Sequence, residues 1–196
     1  DRMKKAIRMS RKLRLYNNRR LMRKIFSEIH EITGNHIRLF IAGGAPIDPK
    51  VILDFEAMGF PMIQGYGMTE NSPIIAVNMD RYSKAAAAGL IMPETEVRIA
   101  DRDHDGIGEI LVKGPSVMLG YYDNDEATAE AIRDGWLYTG DYGYIDDDDF
   151  LYVSGRKKNV IVTQNGKNIF PEEVEYYLLQ NEYIAEALVY GEHDER

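Results

Sequence analysis

Asp141 and Arg156 stand fifteen positions apart, each directly after a glycine, in Thr139-Gly140-Asp141 and Ser154-Gly155-Arg156. Glycine carries no Cβ and tolerates strained dihedrals, so such turns let backbone approach a ligand closely. A carboxylate and a guanidinium brought together there could hold the two hydroxyls of a ribose. The competing reading is an ordinary surface ion pair, worth about 0–1 kcal/mol, which leaves the glycine context unexplained. Two more glycine turns lie upstream, Gly43-Gly44-Ala45-Pro46 and Gly65-Tyr66-Gly67-Met68-Thr69-Glu70. None of the four histidines (His30, His36, His104, His193) has a partner at ligand or triad spacing, and there is no cysteine. Imidazole–metal, thiolate and Ser-His chemistry therefore find no support. The run Asp101-Arg-Asp103-His-Asp105-Gly106 echoes a calcium loop, but Val112 stands where that loop needs Glu, so a hairpin turn is expected.

The elements that must position these turns are legible from periodicity. His36–Ala42 reads as a buried strand ending in Gly43-Gly44. A helix follows, with Asp48 as N-cap, Pro49 at its first position, Val51, Ile52, Phe55 and Met58 as its apolar face, and Gly59 closing it. Phe60–Gln64 is the next strand, which makes a βαβ unit with glycine turns at strand ends, where open α/β sheets place ligands. From Ala88 onward short strands alternate with turns: 96–100, 108–113, 143–146 and 150–153. That spacing predicts a small antiparallel barrel or sandwich. Beyond Arg156 come a strand over 159–163, an Asn165-Gly166 turn, a helix from Pro171 to Leu179 and a strand from Ile184 to Tyr190.

Composition narrows the class. The 196 residues are 44% hydrophobic, enough for a real core. Zero cysteines exclude disulfides and fit a reducing, cytoplasmic compartment. No run of 18 apolar residues occurs, which predicts no membrane-spanning helix, and no signal peptide is expected. Both ends read as cuts through a longer protein. The net charge of −8 is uneven: residues 2–24 hold eleven Lys or Arg with no acidic residue among them. Met3, Ala6, Met9, Leu13 and Tyr16 recur at helical spacing there, as do Leu21, Ile25 and Ile29. A basic helix of this kind either lies on an anionic surface or is a surface helix whose Lys and Arg stems flank a core-facing stripe.

Five blocks occur in order: IAGGAP (41–46), QGYGMTENSP (64–73), GEILVKGPSVMLGYY (108–122), DGWLYTGDYGYID (134–146) and SGRKKNVIVTQNGKNIFPEEVE (154–175). With them the chain resembles the adenylate-forming enzymes: acyl-CoA synthetases, luciferases and peptide-synthetase adenylation domains. The branch it is most similar to is the bacterial long-chain fatty-acid–CoA ligases. The resemblance implies an α/β fold: the βαβ portion of the large adenylate-forming domain, a small antiparallel β-barrel-like subdomain, and the start of a small α+β C-terminal domain. The implied division is 1–79, 80–155 and 156–196, with a hinge near 156–159 and Lys158 as the hinge residue. Implied site roles are Gly44, Ala45 and Pro46 along the adenine edge, Tyr66 between Gly65 and Gly67 against the adenine face, and Thr69 on phosphate. Glu70 would be a Mg2+ ligand, and Asp141 with Arg156 would take the ribose. ATP/AMP, Mg2+ and CoA are the implied cofactors and co-substrates, with a fatty acid as substrate and no nucleic-acid partner. Residues 1–24 are the candidate peripheral membrane contact.

The chain departs from the family pattern in places. Neither the Ser/Thr/Gly-rich phosphate loop nor the late catalytic lysine occurs in these 196 residues, so the isolated chain is expected to be inactive. Ala85–Ala88 stands in place of Gly-Ser-Val, and Asp149 in place of a turn glycine, which puts local turn geometry in question. Two alternatives stay open: adenylation of a different acid or for a different acceptor, and a non-catalytic nucleotide-binding or membrane-docking module.

Overall fold

The computed structural model describes residues 2–80, 82–163 and 167–191. They form two compact units, dividing between Met92 and Pro93.

The first unit opens with three helices: α1 (Arg2–Lys12), α2 (Arg19–Ile25) and α3 (Ser27–Ile32). β1 (Phe40–Ala42), α4 (Pro49–Ala57) and β2 (Met62–Gly67) then give the expected βαβ unit, since β1 and β2 pair in parallel. The local chemistry of α4 is the one its sequence specifies. Asp48 accepts the Lys50 N–H at 2.7 Å, Pro49 starts the helix, and Gly59 sits beyond it at φ 87°, where glycine is unstrained. β3 (Ile74–Val77) and β4 (Gly89–Ile91) extend this sheet antiparallel, in the order β1-β2-β3-β4.

The core beneath the helices is Met22, Phe26, Met58 and Phe60, with Phe40 packed edge-on to both Phe55 and Phe60. His30 is structural: it stacks on Phe60 at 3.9 Å, and its Nε2 lies 3.0 Å from the Met58 carbonyl. The face of α1 turned inward is not the stripe the apolar spacing suggests. Met3, Met9 and Leu13 are exposed, whereas Ala6 and Ile7 pack on the core and Ser10 is buried. The Ser10 hydroxyl donates to the Ala57 carbonyl at 2.7 Å, so a small polar residue marks the contact with α4. Hydrophobicity alone cannot signal such a position.

The second unit contains β5 (Glu96–Ala100), β6 (Gly108–Lys113), α5 (Asp125–Ala131), β7 (Ile132–Arg133), β8 (Trp136–Ile145) and β9 (Phe150–Arg156). The strands pair antiparallel as β9-β8-β6-β5, with the short β7 also on β8. Among the described residues this ladder is open, with no β5–β9 pairing to close a barrel. Its core is Ile110, Val112, Leu137, Phe150 and Leu151, all nearly fully buried. Trp136 is packed under the Arg98 guanidinium, 4.2 Å from the ring centre, a cation–π contact. α5, which apolar periodicity does not announce, is capped by Asn124, whose side chain accepts the Ala127 N–H. Residues 101–106 make the expected hairpin turn, with Asp103 Oδ1 accepting the N–H groups of Asp105 and Ile107.

β10 (Ile161–Val162), β11 (Asn168–Ile169) and α6 (Pro171–Leu179) follow. The helix matches the expected bounds; the Asn165-Gly166 turn lies outside the described residues. The strand expected over Ile184–Tyr190 is not formed. The segment pairs with no strand among the described residues, and Val189 N–H donates instead to the Glu175 carboxylate at 2.8 Å. No helix among the described residues is long and apolar enough to cross a membrane.

Candidate functional site

In the first unit, parallel pairing sets Ala42 beside Gln64, so the Gly43–Pro46 loop and the Gly65–Gly67 segment leave the same edge of the β1–β2 pair. They approach closely: a Cβ on Gly43 would lie 3.7 Å from the Gly65 carbonyl. Gly44 has φ 84°, a conformation glycine adopts freely, while Ala45 and Pro46 are exposed beside it. Gly67 is a glycine for want of room, since a Cβ there would overlap the Pro73 carbonyl. Tyr66 is half-buried and pairs with Ala76 on β3.

Thr69 and Glu70 begin a single 3-10 turn, Thr69 exposed and Glu70 half-buried. The anchor of that turn is a residue the sequence reading passed over. Asn71 is fully buried and donates from Nδ2 to the Ile74 carbonyl at 2.9 Å. A buried amide must find partners, and here it ties the turn to the start of β3. The neighbouring loop is held the same way. Gln64 Nε2 donates to the carbonyls of Ala85 and Ala87, both at 2.9 Å, and Asn78 Nδ2 donates to Ala87 at 2.7 Å. These amides fix the Ala85–Ala88 stretch without the Gly-Ser-Val that the family pattern has there.

In the second unit, Asp141 on β8 and Arg156 at the end of β9 are register partners. Arg156 Nε lies 3.1 Å from Asp141 Oδ1; the carboxylate side chain is 7% exposed and the arginine 54%. The backbone at Asp141 is tied to its neighbours: its N–H donates to Thr139 Oγ1, and that hydroxyl donates to the Ile110 carbonyl at 2.8 Å. Gly140, at φ 69°, lies where the pairing of β8 with β6 shifts register, between Tyr138 and Tyr142. Asp149 takes the left-handed conformation itself, at φ 64°, in a turn where Asp146 Oδ1 accepts the N–H groups of Asp148 and Phe150. A short polar side chain tolerates that region better than most, so the missing glycine costs little.

Lys158 is exposed in the 3-10 turn Lys157–Asn159 that follows Arg156 directly. Its neighbour Lys157 reaches Glu109 on β6, with Nζ 2.6 Å from Oε2. The hydrogen bond that Lys157 donates to Glu109 holds its pKa above the ordinary lysine range.

The structure thus brings Gly44, Ala45, Pro46, Gly65, Tyr66, Gly67, Thr69 and Glu70 to neighbouring loops of the first unit. It pairs Asp141 with Arg156 in the second, with Lys158 two residues on. The glycine loops leave room for a flat ring and phosphates to approach backbone, and the Glu70 and Asp141 carboxylates are of the type that could take a hard cation or hydroxyls. A hollow of about 1160 Å3 in the first unit lies elsewhere: an open groove lined by Arg14, Arg19, Glu56 and Asp80. Its charges answer one another, Arg19 Nη2 lying 2.6 and 2.8 Å from the two Asp80 oxygens.

Residues 8–122 match the profile of a family described as AMP-binding enzyme. The chain is 36% identical to a long-chain-fatty-acid–CoA ligase of Mycobacterium bovis, over 87% of this chain and 28% of that protein. It is 44% identical to a 2-succinylbenzoate–CoA ligase of a Geobacillus species, over 81% of this chain and 33% of that one. Among solved structures, O-succinylbenzoate coenzyme A synthetase from Bacillus subtilis, in complex with ATP and a magnesium ion, superposes with a TM-score of 0.71 at 38% identity. That match covers 81% of this chain and 34% of the synthetase. The chain spans about a third of the length of these relatives.

Proposed function

Since the chain belongs to the AMP-binding enzyme family, we propose that the whole protein is an AMP-forming acyl-CoA ligase. In this reading a carboxylate oxygen attacks the α-phosphorus of ATP and displaces pyrophosphate. The thiol sulfur of CoA then attacks the acyl carbon and displaces AMP. The observation that carries the reading is the Asp141–Arg156 pair. Its carboxylate is enclosed and held by Arg156, the backbone beneath it is tied to Thr139, and the guanidinium is half exposed, so a diol can be met by an acceptor and donors already in place. Tyr66 and the Gly44–Pro46 loop would border the adenine, Thr69 would donate to phosphate, and Glu70 would hold Mg2+. That ion would neutralise charge at the phosphoryl centre. Lys158 would be the point at which the residues beyond β9 reorient between the two half-reactions.

For the acid we put a long-chain fatty acid first, supported by the ligase of that specificity among the relatives. An aromatic acid is the second reading, favoured by the 44% identity to a 2-succinylbenzoate ligase. Pyrophosphate release by the full-length protein, with acids of graded chain length against aryl acids, tests both. Release that rises with chain length supports the first, release with aryl acids alone the second, and release with neither refutes the ligase assignment. We also assign the basic segment a peripheral contact with anionic membrane. Arg11 and Arg19 are paired with Asp54 and Asp80, but the other nine basic side chains of residues 2–24 are exposed.

A further inference from the structure

Three of the four polar residues after Gly155 are tied to three different elements. Arg156 meets Asp141 on β8, Lys157 meets Glu109 on β6, and Asn159 Nδ2 donates to Glu172 Oε1 on α6 at 2.8 Å. Lys158 lies between the last two ties and is exposed. The ties are unequal. Glu109 is a buried carboxylate, 5% exposed, hydrogen-bonded to an ammonium at 2.6 Å. Charge-assisted bonds of that kind are strong, and removing one partner strands a buried charge. Asn159–Glu172 joins a neutral amide to a carboxylate near the surface, and the second oxygen, Glu172 Oε2, is buried without a hydrogen-bond partner among the described residues. The room for that carboxylate exists because residue 155 is glycine; a Cβ there would lie 2.8 Å from Oε2.

We propose that Glu109 is a positioning residue: it pins Lys157 to β6, so that any reorientation of the chain beyond β9 is confined to the backbone at Lys158 and Asn159. This rests on the reading of Lys158 as the hinge and adds what fixes its near side. The far side, the Asn159–Glu172 bond, is the tie that yields. Without the Glu109 anchor the flexible stretch would begin earlier and would carry Arg156 with it, loosening the guanidinium opposite Asp141.

The test uses the full-length protein with Glu109→Gln, which is nearly isosteric, with Lys157→Met, and with Lys157→Arg as the variant that keeps the ion pair. One readout is amide hydrogen exchange at Lys158–Val160, where Val160 N–H bonds the Lys157 carbonyl at 3.3 Å. The other is the ratio of thioester formation to adenylation. Glu109→Gln and Lys157→Met should speed exchange there by about tenfold or more, with β8 amides unchanged and Lys157→Arg close to wild type. Both should also change the half-reaction ratio. Exchange that stays at the wild-type rate in both variants overturns the anchor. Faster exchange with an unchanged ratio overturns the positioning role and leaves the pair purely structural. Wild-type protein lacking both half-reactions would refute the ligase reading instead, and the exchange result would stand separately from it.

Discussion

Arg156 and Asp141 face each other across the β8–β9 ladder, with Nε 3.1 Å from Oδ1 and a large difference in burial between the partners. The anion is enclosed and the cation half in solvent, so the carboxylate is held in place while the guanidinium edge stays open to a polar ligand. Asp141→Asn keeps shape and removes the charged acceptor. It should weaken ATP binding by about 10- to 100-fold in the full-length protein, the range of a lost hydrogen bond to a charged group. Arg156→Ala removes the cation from an enclosed carboxylate and should cost more than an exposed ion pair, about 1–3 kcal/mol in folding stability. Isothermal titration and urea unfolding check the two separately, and unaltered nucleotide affinity in Asp141→Asn would remove the ribose role.

Glu70 stands in the turn fixed by buried Asn71. If it holds Mg2+, Glu70→Gln should lower acid-dependent pyrophosphate exchange by about 100- to 1000-fold, the effect of losing one element of transition-state charge stabilisation. Excess Mg2+ should recover part of the loss. Activity within twofold of wild type would send the search for the metal ligand elsewhere.

Lys158→Pro fixes φ near −65° at the residue between the two ties. Adenylation, followed by pyrophosphate exchange, should survive better than thioester formation from supplied acyl-adenylate, because the two steps use different orientations. An equal fall in both, in protein that still folds, would make Lys158 an ordinary surface lysine.

Glu56 is raised above the ordinary glutamate range, first by burial and then by the Asp80 carboxylate. A carboxyl whose folded value is raised favours the folded state while protonated. That contribution is complete below its unfolded value and disappears as pH rises through the folded one. Glu56→Gln should therefore stabilise the protein at neutral pH and make no difference in acid. The gain should stay below about 1 kcal/mol, since the group is partly open to screening solvent. Thermal unfolding of both proteins across pH decides it, and a variant less stable at neutral pH would contradict the linkage.

The exposed cations of α1 bear on the membrane contact. Replacing Lys4, Lys5, Arg8 and Lys12 by Gln should abolish co-sedimentation with vesicles rich in phosphatidylglycerol, and high salt should do the same to the native protein. Sedimentation equal to wild type would rule out this face.

Much of the fold was legible because it rests on short-range chemistry. Asp48-Pro49 and Gly59 bound α4 through caps made within a few residues, and Pro171 starts α6 for the same reason. The glycine turns at Gly44 and Gly67 reflect local demands of dihedral and space, which only that residue type meets. The family blocks carried the candidate site residues into view.

Other features needed the tertiary structure, because they depend on partners far away in sequence. The Ser10–Ala57 contact, the His30 stack on Phe60 and the Glu109–Lys157 tie join residues 47, 30 and 48 positions apart. A serine in a basic helix, a lone histidine and a glutamate in a strand look alike to any periodicity argument. What each does is set by the element that packs against it. The strand expected over Ile184–Tyr190 failed for the same reason: alternation makes a segment able to pair, but a neighbouring edge decides whether it does. Sequence alone thus determined which glycine turns carry the resemblance to the family. The β8–β9 register decided that Asp141 and Arg156 meet, since only cross-strand hydrogen bonding could choose the partner facing each of them.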